Sequence, residues 1–280
     1  MNRIVPLLVS LALLAGCTKE KEEERQFEKG VVDLGTHSLR TYALMNDRPN
    51  LVVLEAGLGD DHSVWLTLNL AEALGDSADV LIYDRGGYGE STLDDNPRNI
   101  ERLRSELEAV VNPYAESKNL ILVGHSLGGL IIRDFAINHP ESTTGLLFLD
   151  PSHEAYNQPT QDMEDLVVDA FSDAFGPESG GAREAEQLVE DFAFAADLLP
   201  LPDVPVIVLT SMKEDQANTL SDQTYHKTRD DWYQAHELLG TGVTDFTHIP
   251  TTESGHYIMK DEPDLVVDQI QILLSKLPLK

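Results

Sequence analysis

The sequence predicts an α/β fold, in which a mostly parallel β-sheet carries helices on both faces. Short continuous apolar runs, typical of strands buried on both faces, alternate with amphipathic helical patterns. Such alternation indicates β-α-β units, whose crossover connections produce parallel strand pairs. The predicted buried strands lie at residues 51–55, 80–83, 120–123, 146–149 and 206–209, with a weaker one at 246–249.

The segments around these strands complete the pattern. The stretch "KGVVDLGTHSLRTYALMN" predicts two strands around residues 35–36, paired as an antiparallel hairpin. Helices are predicted around residues 64–74 and 100–111. The last helix begins at Pro263, a favourable residue in a first helical turn, and continues as a regular apolar stripe. A chain of 280 residues suffices for one sizeable domain, or one domain plus an insertion.

One segment interrupts the alternation. From about residue 153 to 203 there is no strand pattern, but "MEDLVVDAFSDAF" and "AREAEQLVEDFAFAADLL" are acidic helical patterns separated by the loop "GPESGG". The segment is too long for a simple crossover between neighbouring strands. We therefore predict a helical cap inserted between two strands of the sheet.

The chain is strongly acidic. It has 20 Lys and Arg against 49 Asp and Glu, a formal net charge of −29. The hydrophobic content of 41% is ordinary for a globular protein. A surface of this charge repels nucleic acid and anionic lipid, so we discount both as binding partners.

The first 17 residues, "MNRIVPLLVSLALLAGC", have the layout of a secretory signal. Arg3 precedes an apolar run that is too short to span a membrane comfortably. The run ends in Leu14-Ala15-Gly16-Cys17, which resembles the lipobox of bacterial lipoproteins. That resemblance implies cleavage after residue 16, a lipid on Cys17, and attachment to a membrane of the bacterial cell envelope. Cys17 is the only cysteine of the chain, so no disulfide competes for it.

The residues after Cys17 extend this interpretation. Thr18 stands where an aspartate would indicate retention at the inner membrane, so the resemblance implies the outer membrane in a cell that has one. The following "TKEKEEERQFEKG" is charged and poor in large apolar residues, as expected of a solvated tether. The predicted organisation is a signal peptide at 1–16, a tether at 17–29 and one domain at 30–280. The alternative is a plain signal peptide with an incidental cysteine.

A serine between glycines marks the candidate site. In "NLILVGHSLGGLIIRDFAINHP" a strand pattern is followed by a helical pattern that stops at His139-Pro140. Gly124-His125-Ser126-Leu127-Gly128 is therefore a sharp strand–turn–helix corner. Strand and helix approach closely there, leaving no room for side chains at 124 and 128. The helix N-terminus directs N–H groups to the space beside Ser126, which suits an anionic intermediate.

This arrangement resembles the α/β-hydrolase family, from about residue 51 to 277. The resemblance implies the α/β-hydrolase fold and a nucleophilic Ser126. Ala56-Gly57-Leu58-Gly59 is similar to the family's oxyanion-binding loop, which implies that the backbone N–H groups of Leu58 and Leu127 form an oxyanion hole. "IYDRGGYGES" is similar to the loop after the next strand, where Asp84 and Arg85 would brace the site rather than take part in the chemistry.

A serine hydroxyl needs a general base whose pKa lies near 7. "ESGHYIMKDEP" resembles the Gly-His segment before the family's last helix, which makes His256 the predicted base. His125, beside the serine, is set aside because its side chain points along the elbow and relatives have a packing residue there. None of the nine histidines lies in H-E-x-x-H or comparable metal-ligand spacing, so no metal is predicted, and no cofactor is implied.

The acid that orients His256 has two candidates. Most relatives supply it from the loop after the strand in "VPVIVLTSMKED", which selects Glu214, although Thr210-Ser211-Met212 replaces the usual glycine of that turn. The alternative is Asp150 in "GLLFLDPSHE", since some relatives, pancreatic-type lipases among them, take the acid from that position. An aspartate that closes a buried strand before a proline is rigidly held, which suits an orienting role. We favour Asp150 and keep Glu214 as the alternative.

Together these residues predict a serine hydrolase that cleaves a small-molecule acyl ester, or a related acyl compound, through an acyl-enzyme intermediate. A serine rather than an aspartate at 126 argues against the haloalkane dehalogenase and epoxide hydrolase branches, which form an alkyl-enzyme ester. Two alternatives stay open: an acyltransferase, in which an alcohol or amine displaces water, and a surface binding protein that has lost the chemistry. Four aromatic residues of the cap either line its pocket or pack it onto the core, namely Phe171, Phe175, Phe192 and Phe194.

Overall fold

A computed structural model of the protein describes residues 26–277, which contain one eight-stranded sheet. All the strands predicted from the apolar runs are present. The strands, numbered along the chain, are β1 (Glu28–Asp33), β2 (Ser38–Leu44), β3 (Asn50–Glu55), β4 (Asp79–Tyr83), β5 (Asn119–His125), β6 (Thr143–Leu149), β7 (Val206–Ser211) and β8 (Phe246–Thr251).

The strand order is β1-β2-β4-β3-β5-β6-β7-β8. β1 pairs with β2 and β2 with β4 in antiparallel fashion, whereas the five remaining neighbouring pairs are parallel. This topology confirms the predicted mostly parallel sheet and its hairpin at residues 35–36. The carboxyl ends of β3, β5, β6 and β7 therefore meet at one edge of the sheet, where α/β proteins bind their ligands.

Helices cover both faces of the sheet, as expected from its apolar strands. On β3, Leu51 and Val53 face one core, and Val52 and Leu54 face the other. Two short 3₁₀ helices lie at His62–Leu68 and Leu238–Gly240. The α-helices are α1 (Leu70–Leu74), α2 (Ile100–Val111), α3 (Leu127–Asn138), α4 (Gln161–Phe175), α5 (Gly180–Ala185), α6 (Leu188–Ala195), α7 (Gln216–Tyr225), α8 (Arg229–Glu237), α9 (Ile258–Asp261) and α10 (Pro263–Lys276).

Helix boundaries depart from the sequence pattern in two places. The helix predicted at 64–74 is divided, because Asn69 adopts a left-handed conformation (φ 47°) between the first 3₁₀ helix and α1. The second acidic pattern of the cap is likewise divided into α5 and α6, separated at Glu186 and Gln187. The helices α7 and α8, between β7 and β8, were not predicted. Their sequences are too polar to show a clear apolar stripe.

The helices α4, α5 and α6 form the cap, which enters the chain between β6 and β7 as predicted. Asp191, in the first turn of α6, accepts a 2.9 Å hydrogen bond from the backbone N–H of Ile100, the first residue of α2. The side chain is buried. Burial raises the pKa of Asp191 to about 7, against the opposing effect of the Ile100 hydrogen bond.

Replacing Asp191 by asparagine is expected to stabilise the protein at alkaline pH. The folded-state pKa of Asp191, about 7, lies above the ordinary value of 3.8. Between these two pH values the folded state therefore holds a proton that the unfolded state has lost. The stabilisation that this proton gives to the folded state is complete below the pKa of the unfolded state and is lost as the pH rises through 7. Asparagine keeps the acceptor for Ile100 without the charge, so Asp191→Asn should be more stable at pH 8, by at most ~4 kcal/mol.

Urea unfolding of wild type and Asp191→Asn at several pH values measures this effect. The stability difference should shrink progressively as the pH falls from 8 towards 4. A variant that is equally stable or less stable than wild type at every pH would contradict it.

The predicted signal sequence and Cys17 lie outside the described residues. β1 begins at Glu28, within the last two positions of the predicted tether. Between residues 26 and 277, no helix combines the length and apolar character that crossing a membrane requires.

Candidate active site

Ser126 stands at a strained corner between β5 and α3. Its backbone has φ 52° and ψ −122°, a conformation that residues other than glycine rarely adopt. Its N–H donates to Leu149 O at 3.2 Å, and its carbonyl accepts from the N–H groups of Gly129 and Ser152, each at 2.9 Å. These bonds tie the corner to the end of β6 and hold the serine above the sheet.

The two glycines of the motif are required by close packing, as predicted. A Cβ atom at Gly124 would lie 2.7 Å from Gly128 O. A Cβ atom at Gly128 would lie 2.4 Å from Glu55 O and 2.5 Å from Ala56 O. These contacts are with backbone atoms, which cannot move aside, so strand and helix meet here only because both side chains are absent.

The structure brings together His256 and Asp150. His256 Nδ1 lies 2.7 Å from Asp150 Oδ2, and Asp150 is 1% exposed, whereas the His256 side chain is 32% exposed. Burial alone would raise the pKa of Asp150, but the hydrogen bond and charge of His256 hold it below its ordinary value. An ionised Asp150 fixes the tautomer in which Nδ1 carries the proton. Nε2 of His256 is then free to accept one.

The second oxygen of Asp150 accepts hydrogen bonds from two donors that no sequence pattern indicates. The backbone N–H of Ser211 donates to Oδ1 at 2.9 Å, and the indole N–H of Trp232 donates at 2.6 Å. Ser211 is the last residue of β7. Trp232 lies on α8, one of the helices without a clear sequence pattern. Asp150 is thereby fixed in orientation as well as in position.

Glu214 lies apart from this arrangement. It is exposed and lines a surface depression that also includes Asp222 and Arg229. Within residues 26–277 there is no hydrogen bond or ion pair between Glu214 and His256. The structure thus places Asp150, the favoured candidate, beside His256, and Glu214, the alternative, at the surface.

His125 holds the loop that carries His256. Its Nε2 lies 3.0 Å from His256 O, and because a carbonyl can only accept, Nε2 must be the donor. The two imidazole rings lie 4.6 Å apart, centroid to centroid. Burial, and next the charge of His256, keep the pKa of His125 well below its ordinary value. A buried neutral ring that donates to a backbone carbonyl fits a structural role better than that of a general base.

The predicted oxyanion donors flank the serine on two elements. Leu127 is the first residue of α3, so its N–H has no acceptor within the helix. Leu58 follows Gly57, and a Cβ atom at Gly57 would lie 3.1 Å from Ser126 Cβ, so this loop passes directly beside the serine. In the described part of the chain, neither the Leu58 N–H nor the Leu127 N–H has a protein acceptor.

Arg85 braces the loop that contains Leu58. Its guanidinium donates to Ala56 O at 2.6 Å, to Gly57 O at 2.8 Å and to the Glu55 carboxyl at 2.8 Å. Arg85 is buried, as is Glu55. Burial raises the pKa of Glu55 to about 7, although the charge of Arg85 opposes this shift. These hydrogen bonds to two backbone carbonyls fit the bracing role expected of Arg85.

A cleft of about 490 Å³ lies between the cap and the loops around Gly59 and Tyr88. Phe171 and Phe175, at the end of α4, line this cleft. Phe192 and Phe194 instead pack against the hydrophobic core. Of the four aromatic residues considered from the sequence, two thus line a cleft and two hold the cap on the sheet.

Asp61, His62 and Asp84 are the side chains among residues 26–277 that could share a metal ion, with ligand atoms within 4.8 Å of one another. Their atoms already have protein partners. Asp84 Oδ1 is 2.8 Å from both the N–H and Nδ1 of His62, and Asp61 caps the first 3₁₀ helix through the N–H of Ser63. We interpret this cluster as a support for the loops, in line with the predicted role of Asp84.

The parallel sheet, the serine corner and the histidine-acid pair define a class of hydrolytic enzymes. Residues 52–269 match the model of the alpha/beta hydrolase family, and the chain belongs to that family.

Several curated proteins are similar in sequence over part of the chain. A (lyso)-N-acylphosphatidylethanolamine lipase of Mus musculus is 32% identical over 108 residues, which are 38% of this chain and 31% of the lipase. A pimeloyl-[acyl-carrier protein] methyl ester esterase of Vibrio cholerae is 30% identical over 125 residues, 44% of this chain and 45% of the esterase. The matching part of the chain thus spans less than half the length of these relatives.

Solved structures match over nearly the whole fold. An esterase from Thermogutta terrifontis has a TM-score of 0.68 and 18% identity, covering 90% of this chain and 98% of the esterase. Epoxide hydrolase A from Mycobacterium thermoresistibile has a TM-score of 0.70 and 16% identity, covering 91% and 100%. At such low identity these likenesses establish the fold, and the eight-stranded sheet with its cap is that of an α/β-hydrolase.

Proposed function

We propose that the protein is a serine hydrolase that cleaves a carboxylic ester through an acyl-enzyme intermediate. Ser126 is the nucleophile, His256 the general base and acid, and Asp150 the residue that orients His256. The observation that carries this proposal is the 2.7 Å contact between His256 Nδ1 and the buried carboxylate of Asp150, on a loop held to the serine corner by His125.

The proposed reaction has two halves. In the first, Ser126 Oγ attacks the ester carbonyl while His256 Nε2 accepts the hydroxyl proton, and the N–H groups of Leu58 and Leu127 bind the oxyanion. The intermediate collapses to an acyl-Ser126, and His256 returns the proton to the departing alcohol. In the second half, a water molecule deprotonated by His256 attacks the acyl-enzyme and releases the acid.

Relatives and residue chemistry support an ester as substrate. The similar proteins from mouse and Vibrio cholerae are named a lipase and a methyl ester esterase. An epoxide hydrolase shares the fold, but a mechanism with an alkyl-enzyme ester needs a carboxylate nucleophile, and residue 126 is a serine.

Kinetics with 4-nitrophenyl esters of increasing acyl chain length test the proposal. Soluble protein that begins after Cys17 should release one carboxylic acid for each nitrophenol. An added alcohol or amine distinguishes the alternatives: an acyltransferase would form the new ester or amide in preference to the acid. A folded protein that turns over none of the esters would contradict the hydrolase proposal and favour a binding protein.

We propose in addition that Cys17 carries a lipid that attaches the protein to the bacterial cell envelope. The lipobox-like Leu14-Ala15-Gly16-Cys17 supports this proposal. Cells that express the full chain should incorporate radioactive palmitate into the wild type and into none of the Cys17→Ser variant. Equal incorporation, or none in either protein, would contradict a lipid on Cys17.

A further inference from the structure

We propose that Glu184, on the cap helix α5, is a positioning residue that aligns the oxyanion hole through Arg85 and Tyr88. We call residues 56–59 the oxyanion loop. The proposal deepens the proposed function and rests on it, because it assumes that the Leu58 N–H binds the oxyanion.

Glu184 accepts three hydrogen bonds from the two residues that hold the oxyanion loop. Its Oε1 accepts from Arg85 Nε at 2.8 Å, and its Oε2 accepts from Arg85 Nη2 at 2.9 Å and from the Tyr88 hydroxyl at 2.8 Å. Glu184 is 1% exposed, and Arg85 and Tyr88 are also buried. The bidentate geometry fixes the plane of the guanidinium group. Glu184 is thus a residue of the cap that contacts both side chains supporting the oxyanion loop.

Arg85 and Tyr88 hold the two peptide groups on either side of Leu58. Arg85 Nη2 donates to Gly57 O at 2.8 Å, and the Gly59 N–H donates to the Tyr88 hydroxyl at 3.1 Å. In a trans peptide the C=O and N–H point in opposite directions. The bond to Gly57 O therefore directs the Leu58 N–H away from Arg85. A cation on the carbonyl also polarises this peptide and strengthens its N–H as a donor.

The position of Arg85 depends on its two carboxyl partners, Glu55 and Glu184. Glu184 supplies two of its hydrogen bonds and lies 3.8 Å from Arg98 Nε, so it is the anion that faces two buried guanidinium groups. Without this charge, Arg85 is expected to move towards Glu55 and to loosen its bond to Gly57 O. Since Glu184 belongs to the cap, the oxyanion hole is aligned only while α5 is seated.

Glu184→Gln tests the proposal, with Glu164→Gln as the matched control. Glutamine keeps the size of the side chain but presents N–H groups to the donors of Arg85 or Tyr88. Glu164 is also a buried carboxyl of the cap, but it bonds to Val189 N at 2.8 Å and to Gln161, within the cap itself. All rates are expressed per active serine, as titrated with a fluorophosphonate. A variant that folds incompletely therefore does not give a falsely low rate.

Two measurements distinguish a role of Glu184 in aligning the oxyanion hole from a role in folding alone. For Glu184→Gln, kcat on a 4-nitrophenyl ester should fall by about tenfold or more with KM little changed, since an oxyanion donor acts mainly in the transition state. The inhibition constant of a trifluoromethyl ketone, whose carbonyl oxygen becomes the oxyanion of a hemiketal with Ser126, should rise by a similar factor. Glu164→Gln should stay within about twofold of wild type in both.

A second variant covers the case in which Glu184→Gln does not fold. Tyr88→Phe removes the hydroxyl that links Glu184 to the Gly59 N–H and leaves every charge in place. A smaller loss of kcat is therefore expected, with a correspondingly smaller rise in the inhibition constant. Wild-type values per active serine for the variant that folds, or equal losses in Glu164→Gln, would overturn the inference. Wild type that neither reacts with the fluorophosphonate nor hydrolyses an ester would overturn the proposed function, and the inference with it.

Discussion

Replacing Ser126 by alanine is expected to lower kcat/KM on esters by roughly 10⁵-fold, because no other group supplies the attacking oxygen. Alanine keeps the Cβ atom and the backbone bonds to Leu149, Gly129 and Ser152, so the corner should retain its shape. The thermal unfolding temperature should therefore stay close to that of wild type, as should that of the control, Ser142→Ala.

The control replaces a serine in an exposed turn, whose hydroxyl bonds to His139 O. Its activity should equal that of wild type. The expectation is tested by measuring kcat/KM and the thermal unfolding temperature of wild type, Ser126→Ala and Ser142→Ala. Residual activity of Ser126→Ala above about one hundredth of wild type would point to another nucleophile or to direct attack by water.

Replacing Asp150 by asparagine is expected to lower kcat by roughly 10³- to 10⁴-fold. Trp232 and Ser211 both donate to Oδ1, so the asparagine carbonyl will take that position. Its NH₂ group then faces His256 Nδ1, which must accept rather than donate. The proton moves to Nε2, and His256 can no longer take the proton of Ser126.

Glu214→Gln is the comparison that decides between the two acids. Glu214 is exposed, so the variant should keep kcat within about twofold of wild type. Measurement of kcat for both variants, with the unfolding temperature as a check of folding, assigns the acid. A large loss in Glu214→Gln together with an active Asp150→Asn would place the acid on the loop after β7 and contradict our assignment.

Much of the fold could be predicted because its central strands are buried on both faces. β3 to β7 appear in the sequence as continuous apolar runs, and such runs are hard to confuse with loops. The helices α7 and α8 were missed for the opposite reason. They lie largely at the surface, and their mixture of polar and apolar residues shows no strong period.

The local parts of the site could be predicted, and the long-range parts could not. The serine corner depends on Gly124 and Gly128, which stand beside Ser126 in the chain. The bond from Trp232 to Asp150 joins residues 82 positions apart, and those between Glu184 and Arg85 join residues 99 apart. The residues next to Trp232 and Glu184 in the sequence do not indicate these partners, because the contacts form only when α8 and the cap pack against the rest of the domain.

Asp150 lies between these two cases. The missing turn glycine at residues 210–212 made the usual acid position doubtful, and the position of Asp150 at the end of β6 made it a plausible alternative. Asp150 and Glu214 follow neighbouring strands, and the position of the loop that carries His256 decides which carboxylate lies beside the imidazole. That loop is held by His125, through a contact across 131 positions of sequence.

Covalent labelling with a serine-directed reagent shows whether Ser126 is an activated nucleophile. Wild-type protein would be treated with a fluorophosphonate, digested with trypsin and analysed by mass spectrometry. We expect one phosphonyl group per chain, on the peptide that contains Ser126, and none in Ser126→Ala or in protein unfolded before treatment. Folded wild type that stays unlabelled, or that carries the group on another residue, would contradict it.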